Sequence, residues 1–263
     1  MNIFLREIKN DLKPFVFWCI GLVVLVFAGM AKFTGLREGG ETVNAMMAAF
    51  PKPLQAMFGM AGINVAQLSG YYAVIVFYVM ICISIYGISL GANAAGRETV
   101  DRTSEFLFTR PVSRSRVLAV KLLAGLVYLL GFSILSYALS AAAVSSFRLG
   151  HGIDGEIRLY GLAVTIVGLT FYVFAAMLVS LVRRTEKGFL YGNLIFVGTF
   201  ILTMIYDMLD NGGALRLLIP MRFFTAPEIL DGQLNPAFAA LSAVLICLFT
   251  VVTFYSFNKK DFR

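Results

Sequence analysis

Charge is scarce in this chain. Only 14% of its 263 residues are Asp, Glu, Lys or Arg, where a soluble domain carries about 25%. Apolar residues make up 59% and mean hydropathy is +0.82. So few polar side chains cannot cover a water-exposed surface of this size, which makes lipid the expected solvent. Histidine is nearly absent: His151 stands alone, which excludes a His-rich metal site and a Ser-His-Asp triad. The three cysteines, Cys19, Cys82 and Cys247, fall in separate apolar runs. That spacing makes neither a zinc site nor a disulfide framework, and packing is their expected role. No G-x4-G-K-[ST] sequence occurs, so the chain carries no phosphate-cradling loop of its own. Paired aspartates within a run, a Ser-His couple and H-E-x-x-H are missing as well, which excludes the usual intramembrane enzymes. Nor is an ionisable residue found near the centre of any run, against the habit of ion-driven carriers. The net charge of +7 does not point to nucleic acid, because the basic residues sit at the ends of apolar runs, as membrane topology requires.

Apolar sequence, by contrast, is plentiful. Six runs, at 15–32, 70–94, 118–146, 159–182, 188–207 and 237–257, reach the roughly 20 residues that a bilayer span needs. They predict an all-α integral membrane protein with six transmembrane helices, forming one domain over 1–263. With both termini in the cytoplasm, 15 of the 22 Lys and Arg residues lie on the inner side. The positive-inside rule therefore predicts an N-in, C-in arrangement in the plasma or inner membrane.

The first residues have a pattern of their own. Phe4, Leu5, Ile8, Leu12 and Phe15 recur at helical spacing with charged residues between them, which predicts an amphipathic interfacial helix over 1–14. Pro14 is expected to end it and turn the chain into the membrane. Outside, 33–69 is greasy and broken by Pro51 and Pro53, and 209–236 is broken by Pro220, Pro227 and Pro236. Both loops predict short amphipathic helices resting near the outer leaflet.

The segment Glu98–Lys121, ETVDRTSEFLFTRPVSRSRVLAVK, is a charged island between two uncharged runs. Glu98 and Arg102 form an i,i+4 pair that supports a helix. Pro111 pushes Arg110 out of helical geometry, so the helix ends there. Phe106, Leu107 and Phe108 are unusual in a cytoplasmic loop, since exposing apolar surface costs about 25 cal/mol per Å². They either dip into the inner leaflet or fill a groove on a partner protein.

The pattern E-x4-T-x-E-F-L-x-T-x-P-V-S-R-x6-K resembles the signature region of the ABC-2 type permeases. Glu98, Thr103, Glu105, Phe106, Leu107, Thr109, Pro111, Val112, Ser113, Arg114 and Lys121 carry the match. The tail Phe257-Asn258-Lys259-Lys260-Asp261 is similar to the family's usual ending. Many members have Gly before the Thr; here Arg102 stands there. The resemblance implies that 95–117 is a cytoplasmic coupling segment docking on a separate ABC ATPase subunit, present in two copies. Glu98, Thr103, Glu105, Phe106, Leu107, Phe108, Arg110 and Pro111 would make that contact. It implies a second permease copy, identical or paralogous, and ATP with Mg on the partner, leaving this chain without a cofactor. The expected function is export of a hydrophobic or amphiphilic compound, such as an antibiotic, peptide or lipid.

Small residues suggest where helices meet closely. Gly87, Gly91 and Ala95 form one stripe, expected to pack within the chain. Gly188 and Gly192 form another, a possible protomer seam, because the resemblance places the family's dimer seam at the fifth span. Met46, Met47, Met57 and Met60 offer soft thioethers outside the cytoplasm. Since some relatives serve copper-enzyme maturation, that is an alternative role; an ATPase-free membrane sensor or scaffold is another.

Overall fold

A computed structural model describes residues 3–100, 113–147, 152–182, 185–209 and 213–259. Among the described residues the elements are all helical. They are α1 (Ile3–Ala48), α2 (Lys52–Met57), α3 (Leu68–Val100), α4 (Arg114–Ser146), α5 (Asp154–Leu181), α6 (Thr185–Met208), α7 (Ala226–Leu230) and α8 (Pro236–Lys259), with 3₁₀ turns at Gly213–Leu218 and Pro220–Arg222. Six of these, α1, α3, α4, α5, α6 and α8, are long and apolar enough to cross a membrane. The chain is an all-α, multi-pass membrane protein.

α3 and α5 are the most enclosed helices, while α1, α6 and α8 lie at the rim with most of their surface outward. Glycine explains the tight central pair. A Cβ built on Gly87 would lie 2.9 Å from the carbonyl oxygen of Gly168, and one on Gly91 only 2.0 Å from that of Tyr172. Two helix backbones therefore touch where no side chain intervenes. Around this seam Ile83, Tyr86, Ile88, Leu129, Phe132 and Val164 close a continuous core.

The first helix departs from the sequence-based expectation. No separate interfacial helix ends at Pro14, because α1 runs through it from Ile3 onward. In water an interior proline loses a hydrogen bond and breaks a helix; within membrane helices neighbouring groups offset the loss and proline is tolerated. The helix yields instead at Gly40, whose φ of 49° and ψ of −132° no helix accommodates. The apolar stripe is also split: Ile8 and Phe15 pack against the core. Leu5 and Leu12 are about half exposed, whereas Glu7 and Asp11 are buried at 2% and 6%.

The 209–236 region differs as well. The predicted leaflet-resting segment is packed into the end of the bundle, with Ile219, Met221, Phe223, Phe224 and Ile229 buried in the main core. Arg216 organises this plug. It donates to the carbonyls of Arg222 (2.8 Å) and Phe223 (2.9 Å), binds the Glu228 carboxylate, and lies 4.0 Å over the ring of Phe238. Arg222 pairs with Asp207 at the end of α6. The apolar side chains go inward because the polar ones satisfy each other around them.

Candidate functional site

The charged island leaves α3 and rejoins the chain at α4, so the described ends of those helices are where its surroundings become visible. Arg97, in the last turn of α3, favours the negative pole of its helix. Its guanidinium donates to Glu7 Oε2 at 2.9 Å and to Asp11 Oδ1. Glu7 and Asp11 stand one turn apart on α1 and so present both carboxylates to one partner. The fork of an arginine suits two acceptors held at fixed positions.

Tyrosines extend this clasp to α4 and α5. Tyr128 of α4 donates its hydroxyl to the Ile8 carbonyl of α1, between the two acids. Tyr172 of α5 donates to the Leu122 carbonyl of α4 at 2.7 Å. The Phe15 ring lies 4.9 Å from that of Tyr128, and Trp18 packs 5.6 Å from Tyr86. Lys121 is buried in the same stretch of α4.

The start of α4 is held from the other side. Arg114 donates to the Asn258 carbonyl at 3.3 Å, and the Ser115 hydroxyl to Asn258 Oδ1 at 2.9 Å. Phe257 sits beside it, buried with Ala92, Ala95, Leu118, Ala176 and Val179. Both roots of the island are thus anchored, α3 to α1 and α4 to α8. A load applied between them is shared by four helices, because buried ion pairs and packed side chains resist shear.

Of the residues singled out from sequence, Glu98 lies on α3. Thr103, Glu105, Phe106, Leu107, Phe108, Arg110 and Pro111 lie outside the described residues. Gly188 and Gly192 are buried within the chain: a Cβ on Gly188 would approach Val179 Cα to 2.8 Å, and one on Gly192 would approach Ile88 Cγ2 to 3.2 Å. Gly87 and Gly91 also meet α5 of the same chain. Met47 and Met60 line one pocket of about 290 Å³, while Met46 and Met57 are exposed away from it. Sequence reasoning missed Glu7, Asp11 and Arg97, although two acids at i,i+4 beside a Pro-punctuated apolar run carried the signal.

Six apolar helices long enough to cross a membrane define a multi-pass membrane protein. A family model described as ABC-2 family transporter protein matches residues 1–262. The chain belongs to that family and is a multi-pass membrane permease of an ABC transporter, whose partner is an ABC ATPase. A search of curated proteins finds no match.

Proposed function

We propose that this permease exports a hydrophobic or amphiphilic compound and is driven through the island by two ATPase subunits. Glu98 to Pro111 is the docking segment on the cytoplasmic side, and both termini of the chain lie on that side of the plasma membrane. Glu98, Thr103, Glu105, Phe106, Leu107, Phe108, Arg110 and Pro111 meet the ATPase, which holds ATP and Mg.

The observation that supports this reading is the grip on Arg97. The residue directly before Glu98 is fixed between two buried carboxylates of α1. A segment meant only to connect two spans has no need of such a root. When the ATPase pair closes, the push enters α3 at a point already joined to α1 and passes through Gly87 and Gly91 to α5. Rigid attachment at both ends is what converts a local displacement into helix movement. With Gly188 and Gly192 occupied inside the chain, a second copy would meet α6 on its exposed Leu190, Leu194 and Ile201 face.

The test is reconstitution with the ABC ATPase. Glu98→Ala, Glu105→Ala and the Phe106→Ser/Phe108→Ser pair should each leave the spans folded and abolish transport-linked ATP hydrolysis. Unchanged transport and ATPase stimulation in all three variants would refute the docking role.

A further inference from the structure

A groove of about 440 Å³ opens between α4 and α5 on the outward-facing surface of the bundle. Leu130, Ile134 and Tyr137 form its α4 wall, and Leu162 stands on the α5 side. Gly161 lies on its floor, where a Cβ would meet Tyr137 Cδ2 at 3.5 Å, so that a larger side chain there would take up groove space. Ser133 and Thr165 contribute hydroxyls, but each bonds a carbonyl of its own helix, Leu129 at 3.1 Å and Gly161 at 2.8 Å. The walls are therefore mostly hydrocarbon, with these two hydroxyls turned to their own helices.

At the lip near the α4–α5 turn stands Arg158, one turn into α5. It is exposed, and among the described residues no carboxylate pairs with it. A basic side chain at the end of an apolar groove matches a molecule with a hydrocarbon tail and an anionic head. The length of the groove selects further. From Arg158 to Thr165 is seven residues, or about 10 Å along the helix. One leaflet of a hydrocarbon core about 30 Å thick is about 15 Å deep. The groove thus runs most of one leaflet and stops before the midplane, which suits an acyl chain and is too short for a membrane-crossing helix.

We propose that this groove binds one anionic phospholipid, an acyl chain lying against Gly161 and Ile134 and the headgroup phosphate on Arg158. The guanidinium fork matches phosphate geometry. The site faces the membrane directly, so it fills from the leaflet at the α4–α5 turn.

Native mass spectrometry of the purified full chain, titrated with dioleoylphosphatidylglycerol, tests the assignment, with dioleoylglycerol as a control lacking phosphate. Wild type should retain one phosphatidylglycerol more firmly than the rest. Arg158→Gln should weaken that retention about fivefold, the worth of one basic side chain at an anionic surface, while leaving dioleoylglycerol unchanged. Arg158→Lys should stay close to wild type. Gly161→Leu should weaken both lipids, and if that variant does not fold, the Arg158 pair decides alone. Equal retention of phosphatidylglycerol by wild type and Arg158→Gln overturns the proposal. So does a disulfide formed between two copies through Ile134→Cys in lipid-loaded protein, because a second copy would then cover the groove.

Discussion

Replacing Arg97 with alanine removes the guanidinium that bridges Glu7 and Asp11 and leaves Arg6, 3.8 Å from Glu7 and partly exposed, as a weaker partner. Both acids are nearly sealed from solvent, and Arg97 itself is 16% exposed. Removing one partner of a buried ionic group costs about 3–5 kcal/mol, because the remaining charge is left without compensation. With roughly 2–4 °C per kcal/mol for a chain of this size, the thermal midpoint should fall by about 6–20 °C. Differential scanning fluorimetry of detergent-purified protein reads this directly. The same logic makes a second, opposite expectation. Glu7→Gln, Asp11→Asn and Arg97→Met together neutralise all three members of the clasp, and replacing a buried ionic cluster by neutral groups is often close to neutral. The triple variant should therefore recover most of the lost midpoint. A drop below about 2 °C in Arg97→Ala, or a triple variant no more stable than the single one, would show that the clasp is not a buried ionic site.

Two further expectations follow from other parts of the bundle. Gly91→Ala should destabilise by about 1–3 kcal/mol, as overpacking does, because its new Cβ would meet the Tyr172 carbonyl at 2.0 Å; a variant as stable as wild type by the same melt would refute the α3–α5 seam. Burial alone would raise the carboxyl of Glu228, but hydrogen bonds from Arg216, Asn235 and Thr225 outweigh it and hold the group at about 2, below its ordinary 4.5. Depressed in the folded state, this group stabilises the plug above pH 4.5 and loses that contribution as pH falls toward 2. Hydrogen exchange over 213–230 should accelerate through that window and should do so less in Glu228→Gln; no difference between the two proteins refutes the role.

The spans were legible because a bilayer imposes one length and one polarity on every crossing helix, and Gly70–Ala95 or Ala237–Phe257 can hardly be read otherwise. Orientation of faces was not legible. The spacing of Phe4, Leu5, Ile8 and Leu12 gives the apolar stripe of a surface helix, yet in lipid Leu5 and Leu12 can face outward while Ile8 packs on the core and the acids find partners inside. Pro14 misled for a related reason, since its rule is calibrated in water. The plug escaped because Arg216 and Arg222 read as loop charges; only the folded chain shows that Glu228 and Asp207 neutralise them and release Phe223 and Ile229 to the core. At the island, sequence pattern carried the coupling residues, whereas the clasp beneath it depends on contacts some 90 positions apart.

The anchoring of the two roots also has an order in time. Arg97 meets Glu7, which precedes it by 90 residues and is already made when α3 emerges. Arg114 must wait for Asn258, 144 residues later. At roughly 5–20 residues per second of synthesis, that delay is about 7–29 seconds. For that interval the start of α4 lacks its contacts with Asn258. The crossing α8 is thus a latch as well as a span, since the start of α4 gains its Asn258 anchor only after α8 is made.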